Sequence, residues 1–334
     1  MRGLIGTKVN NRLDGFTERD MSQYSILTAL SRRRKPILMT KKTWLEVALN
    51  GGGGHDHQHL MPISQSQIIE EGIACVEAGA SIVHFHAYNA DTEKQADEAA
   101  LYAEVIDGIR AKVDAIVYGT LPMIGTQNVV GAENIAERHV AMQELAERKL
   151  IEWMVVDPGS VNFAAFTRLA HDRDGFTYLN PDAHIRHGLA MCERFNLNPS
   201  YAIYEPGFMR QAAAMADRFP IVPQPVYRLM FSEGYTFSFP PKEYGLDAYL
   251  ALLEDIDPGA HWMIAGLMVD IHPLIAPAVE RGGHVRVGLE DAPSLSERGN
   301  VWWVKDAVKR IQAAGGEVAS AQDVRDDLMG HSNG

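Results

Sequence analysis

From Lys42 onward, short β-rich runs alternate with longer stretches of helical periodicity, and the alternation repeats eight times. The β-rich runs fall at 44–49, 82–86, 115–119, 153–156, 201–204, 226–231, 262–265 and 285–289. Most are followed by a helical pattern, at 67–78, 96–112, 132–148, 181–195, 247–254 and 301–314. Strands separated by helices imply a parallel sheet with right-handed crossovers. Eight units over about 270 residues match the closed (β/α)8 TIM barrel, an α/β fold, in number and size. A doubly wound open sheet would want a G-x-G-x-x-G turn after its first strand. Here that strand runs into Asn50-Gly51-Gly52-Gly53-Gly54-His55-Asp56, which is rich in glycine but has neither the spacing nor an immediate helix.

Residues 1–41 read as an N-terminal extension: polar, irregular, with a basic cluster at Arg32, Arg33, Arg34 and Lys35 and no continuous apolar core of a secretion signal. Residues 42–334 read as a single barrel domain, with no linker or low-complexity break. Ser64-x-Ser66 and Asn180-Pro181 are recognisable helix starts. Residues 232–242, rich in aromatics and proline, read as a long loop after the sixth strand, a lid or a subunit contact.

Charge narrows the partners. The chain carries 31 Lys+Arg against 43 Asp+Glu, a net charge of −12, so no general basic field exists to hold a nucleic-acid backbone. No apolar run is long enough to cross a bilayer. The two cysteines, Cys75 and Cys192, lie far apart with no C-x-x-C spacing, which argues against a disulfide framework or thiolate zinc site and for the reducing cytoplasm. A small-molecule partner is what remains.

In a barrel, chemistry collects where strands end. The second strand ends in His84-Phe85-His86, and because side chains alternate along a strand, both imidazoles project from one face. Neutral imidazoles so placed suit Zn2+, although an isolated pair of this kind is as often two buried, hydrogen-bonded histidines. The eighth strand reads His284-Val-Arg286-Val-Gly288-Leu-Glu290-Asp291. In a closed barrel the second and eighth strands flank the first, so Glu290 can complete a His2Glu set with open positions. Arg286 offers a donor fork for a carboxylate, or forms a core ion pair with Glu290. Asp291, just past the strand, is a candidate base or else an exposed loop carboxylate. Glu46, Asn50, Gly119-Thr120, Asp157, Ser160, Asn162, Tyr204 and Glu205 sit at other strand ends. The cluster His55-Asp56-His57-Gln58-His59 reads as a substrate-facing or adventitious metal loop. His139, His184, His187 and His331 read as solvated.

Four segments occur in one order: Asn50-Gly51, Glu77-Ala-Gly-Ala-x-Ile-Val-His-x-His86, Gly159-Ser-Val-Asn162-Phe163 and Gly282-Gly-His-x-Arg-x-Gly-Leu-Glu-Asp291. Together they resemble the β-keto acid cleavage enzymes, from about Lys42 to the C-terminus. The resemblance implies a zinc-dependent barrel that condenses a β-keto acid with acetyl-CoA and releases acetoacetate and an acyl-CoA. It implies His84, His86 and Glu290 as zinc ligands, Asp291 as base and Arg286 as the residue orienting it. Thr120, or Gly119 beside it, falls where the family places a small hydroxyl residue, although Gly-Thr-Leu-Pro departs from the usual Ser/Thr-Thr-Gly-Gly. Asn50, Gly53, Gly119, Asn162 and Ala202 are the implied substrate-binding positions. Family members taking amino-substituted substrates resemble one another in acidic residues where Gly53 and Ala202 stand here. A neutral, bulky or anionic substrate tail is therefore expected, with His55, His57 and Tyr201 as its neighbours. The family also implies a homo-tetramer or larger. The rival readings are a metal-dependent aldolase or lyase that needs no CoA, and a non-catalytic metal-binding barrel.

Overall fold

The computed structural model describes residues 42–122, 135–216 and 218–330. The expected extension at 1–41 and His331 lie outside them. Eight parallel strands form one sheet: β1 (Leu45–Ala48), β2 (Ile82–Phe85), β3 (Ile116–Gly119), β4 (Trp153–Val155), β5 (Asn198–Ile203), β6 (Val226–Phe231), β7 (His261–Gly266) and β8 (His284–Val287). Their order is β3-β2-β1-β8-β7-β6-β5-β4, so β8 returns to pair with β1. The seam lies between β3 and β4, which approach without a shared ladder. This is the expected TIM barrel.

A helix follows each strand: α1 (Gln65–Glu77), α2 (Ala99–Arg110), α3 (Ile135–Glu147), α4 (Asp182–Phe195), α5 (Pro206–Ala216), α6 (Glu243–Ile256), α7 (His272–Glu280) and α8 (Asn300–Ala313). Helices α5 and α7 were not anticipated, because the first is a short Ala-rich stretch and the second contains Pro277. Helix α1 opens with a full capping box, Ser64 accepting from Gln67 N while the Gln67 side chain accepts from Ser64 N.

Alternation along the strands divides the molecule into two apolar layers. Leu45, Val47, Val83, Phe85, Val285 and Val287 face outward into the core beneath the helices. Trp44, Ile82, Ile116, Trp153, Val226 and Met263 face inward and fill the barrel floor, joined by Val324 and Leu328 of the C-terminal helix α9 (Ala321–Gly330). That helix is fastened under the floor by Trp44 Nε1 donating to Asp327 and by Arg325 bonded to Glu152 and Asp114. With the floor plugged, the polar inward residues are left to the opposite mouth. Gly288 turns the chain out of β8 at φ +133°, and a side chain there would lie 2.2 Å from Ala48 O. The close passage of this turn over β1 sets where Glu290 and Asp291 fall.

One expectation needs correction here. His139 and His184, read as solvated, are each only 2% exposed, and His187 is half-buried, because α3 and α4 pack on each other. The 232–242 segment is pinned, with Phe231 bridged to Phe239 and Tyr235 to Ala165. Tyr235 and Phe237 pack on Phe163, their ring centroids 5.5 and 4.9 Å away.

Candidate active site

The ladder registers bring the site together. Glu46 on β1 is level with Arg286 on β8 and with Ile82 on β2, one pleat below His84. At the mouth, the ligand atoms of His84, His86 and Glu290 lie within 4.8 Å of one another. His84 Nε2 is 3.4 Å from Glu290 Oε2, and His86 Nε2 is 3.4 Å from Glu290 Oε1.

The imidazoles are prepared from behind. The Gln95 amide donates to Asp97 Oδ1 at 3.0 Å, which turns Gln95 Oε1 towards His86 Nδ1, 2.8 Å away. His86 thereby turns its Nε2 towards the site, 3.4 Å from Glu290 Oε1; burial works against its charged form, but Glu290, with Gln95 and Asp97 adding to it, outweighs burial and raises this imidazole above its ordinary value. Asn50 holds the same residue by its backbone, accepting from His86 N at 2.7 Å and donating to His86 O at 3.1 Å. Burial, reinforced by Arg286 and His86, holds His84 well below the usual imidazole range against the pull of Glu290, so it is neutral at pH 7. Burial opposes ionisation of Glu290, but Arg286, His84 and His86 outweigh it and keep this carboxyl well below its usual range. Glu290 Oε2 has no aligned hydrogen-bond partner, although Arg286 Nη2 is 3.1 Å away. Two imidazole nitrogens and an under-bonded carboxylate oxygen converging on one point are a donor set that suits a divalent cation, which would take the place of the protons on those nitrogens.

Beside this triad Arg286, 1% exposed, touches three carboxylates. Its Nη1 donates to Glu46 Oε1 at 3.0 Å, its Nε and Nη2 grip Asp291, and its Nη2 also neighbours Glu290. Asp291 Oδ2 further accepts from Gly266 N at 3.3 Å. Burial, helped by the negative neighbours Glu290 and Glu46, raises the Asp291 carboxyl above its ordinary value in spite of Arg286. A carboxylate shifted upward and held rigidly is suited to taking a proton.

One cavity is lined by His84, Glu290, Asp291 and Arg286, on the neighbouring strands by Thr120 and Leu267, and across the barrel by Asp157, Ala202, Tyr204, Arg228 and Met230. Several expected substrate-binding positions lie elsewhere. Asn162 is exposed, its Oδ1 accepting from Thr177 Oγ1 within a hairpin. Gly119 faces outward against Tyr102, leaving the inward place to Thr120. Gly53 packs on the His57 ring, and Asn50 is fully buried with its amide committed to backbone. Tyr201 packs edge to face with Tyr227 in the outer layer, so of Tyr201 and Ala202 only Ala202 faces the cavity. His55 is bonded to Glu93 and Met61 O, and neither it nor His57 lines the cavity. Arg228 and Gln95 went unnoticed in the sequence, although an arginine two residues from both Val226 and Met230 in an otherwise apolar strand signals an inward cation.

An α/β barrel with a cation-ready triad and a poised carboxylate at the strands' C-terminal ends has the form of a barrel enzyme. Comparison with known proteins makes this specific. The family model described as beta-keto acid cleavage enzyme matches residues 42–329, and the chain belongs to that family. Among its relatives is the 3-dehydrocarnitine:acetyl-CoA trimethylamine transferase of Rhizobium meliloti (strain 1021), 24% identical over 309 residues, covering 88% of this chain and 98% of the relative. Another is the 3-oxoadipate:acetyl-CoA acetyltransferase of Cupriavidus necator, 28% identical over 263 residues, covering 78% of this chain and 84% of the relative. The apo structure of ObcA shares the fold with a TM-score of 0.64 at 17% identity, over 81% of this chain and 65% of ObcA. The family makes the protein an enzyme that cleaves β-keto acids, and both of these relatives are named for transfers that use acetyl-CoA.

Proposed function

We propose that the enzyme is zinc-dependent, with His84, His86 and Glu290 holding the ion, and that it converts a β-keto acid and acetyl-CoA into acetoacetate and the CoA thioester of the remaining acyl fragment. The observation that carries this reading is the buried Asp291 carboxylate, fixed by Arg286 next to the triad. The formal charges agree: beside the buried cations Arg286 and Arg228 stand Glu46, Glu290, Asp291 and Asp157, an excess of negative charge that a divalent cation would balance. A bound Zn2+ supplies Lewis-acid polarisation of the substrate's keto and carboxylate oxygens. Asp291 removes a proton from the carbon between them, and Arg286 keeps its oxygens in place. That carbon then bonds to the acetyl carbonyl carbon as the acetyl C–S bond breaks, the released CoA thiolate adds to the substrate's own keto carbon, and the original carbon–carbon bond breaks to expel the acetoacetate carbanion, which takes the proton back from Asp291. Thr120 offers a hydroxyl from the strand next to that of His84. Ala202 supplies no countercharge for an ammonium at its place in the wall, which supports a neutral, bulky or anionic tail.

The cytoplasm and a homo-oligomer of four or more subunits belong to the same proposal. Two buried free cysteines support a reducing compartment, and no helix among the described residues is long and apolar enough to cross a membrane. The test is a screen of β-keto acids with and without acetyl-CoA, with acetoacetate as readout and His84→Ala as control. Acetoacetate formed only with acetyl-CoA and lost in the variant supports the reading. Cleavage without acetyl-CoA would make the protein a lyase.

A further inference from the structure

Arg228 lines the same cavity as the triad and Asp291, yet the chemistry above gives it nothing to do. It projects inward from the middle of β6 and is 3% exposed. Its Nε has no hydrogen-bond partner, and Nη2 reaches only Ser200 O at 3.5 Å. The nearby Asp157 does not take up the fork, because its Oδ1 is 4.0 Å from Nη2. Asp157 is already committed, accepting from Tyr178 OH at 2.6 Å and from Ala202 N at 3.1 Å. Arg286 shows the contrast, since its Nε, Nη1 and Nη2 are all bonded at 2.8–3.2 Å. A buried guanidinium left largely unused is costly unless something arrives to use it, and its planar fork matches a carboxylate best.

The position matters as much as the vacancy in bonding. In the strand order β6 stands four places from β2 and two from β8, so Arg228 faces the metal triad from across the barrel. A substrate anchored at His84, His86 and Glu290 extends towards β5 and β6. The side chains there that carry no charge, Ala202, Met230 and Leu267, suit methylene groups.

We propose that Arg228 receives a carboxylate at the far end of the substrate, so that the preferred β-keto acid is a short diacid. This rests on the reading of the site as one of β-keto acid cleavage. A monoacid with an apolar end would leave the guanidinium as it stands, buried and under-bonded. Asp157 then has a positioning part, holding the β5 backbone at Ala202 and setting a limit to the anion's approach.

The experiment uses the full-length, zinc-loaded enzyme with acetyl-CoA and two acids of equal length, 3-oxohexanedioate and 3-oxohexanoate, with acetoacetate as readout. The wild type is expected to favour the diacid in kcat/KM by at least ~100-fold, as expected when a site built for a polar group meets an analogue lacking it. In Arg228→Met that ratio should collapse to within about threefold, chiefly through a higher KM for the diacid, and Arg228→Lys should recover part of it. Should the variant fail to fold, the wild type still decides: hexanedioate, which cannot react, should raise its melting temperature where hexanoate at the same concentration does not. Equal use of both acids, or equal protection by both ligands, would overturn the assignment of Arg228 while leaving the reaction intact. Acetoacetate from neither acid, nor from any other β-keto acid, would instead defeat the reading of the reaction.

Discussion

Arg286 grips Asp291 by two prongs, Nε 3.0 Å from Oδ2 and Nη2 2.8 Å from Oδ1, although the two residues are only five apart in the chain. The turn at Gly288 makes this possible by folding the end of β8 back over its own arginine. Arg286 thus fixes the base and, through Nη2, also neighbours a proposed ligand of the metal, Glu290.

Replacing Asp291 by Asn keeps the shape and the Gly266 contact but removes the proton acceptor. Acetoacetate formation is expected to fall by ~10²–10⁴-fold, with zinc content near one per chain. Undiminished turnover would transfer the base to another group.

Removing Arg286 leaves Glu46, Glu290 and Asp291 buried with their shared cation gone. Arg286→Met is expected to lower unfolding free energy in urea by about 3–5 kcal/mol, with Arg286→Lys intermediate. A stability within experimental error of wild type would mean that the carboxylates are neutralised by some other means.

Gln95→Leu breaks the chain of bonds from Asp97 to His86 and frees the ring to rotate or change tautomer. Zinc affinity, measured by competition with a chromophoric chelator, should weaken by ~10–100-fold, with little change in melting temperature of the metal-free protein. Unaltered affinity would show that Asn50 alone orients His86.

Much of the site was legible because its spacing is local. His84 and His86 alternate on one strand, Glu290 and Asp291 end another, and ring closure on either side of β1 brings the two together. What was not legible depends on surroundings. Whether His139 is wet or dry is decided by α4 packing over α3, and its own helix carries no sign of that. Tyr201 and Gly119 were placed in the pocket by proximity to a strand end, and each misses it by one residue, since alternation gives the inward place to Ala202 and Thr120. Asn162 sits in a motif whose hairpin turns it to solvent. Arg228 was visible as a residue, but that its Nε stays unbonded appears only when β4, β5 and β6 are assembled.

The misjudged histidines lead to a pH prediction. Burial, with Arg138 and His187 adding to it, brings His139 down to about 4 in spite of its hydrogen bond to Ile135 O. Burial also holds His284 well below its usual range, and its Nδ1 accepts from Trp44 N at 3.1 Å, a bond the protonated ring would lose. These groups are protonated more readily in the unfolded chain. Their stabilisation is full above about 6.5 and is lost as pH falls towards 4, by up to ~3 kcal/mol for His139 alone. Urea midpoints measured between pH 7.5 and 4.5 should fall with acid, and His139→Gln should flatten part of the slope. A midpoint independent of pH over this range would contradict it.

Two strands on either side of β1 are proposed to gather a single catalytic zinc. The most direct measurement is anomalous X-ray diffraction at the zinc edge on crystals of the protein grown with zinc. One strong peak per chain is expected between His84, His86 and Glu290, absent in His84→Ala. A triad without density, or a zinc peak seated only in the His55–His59 loop, would contradict it.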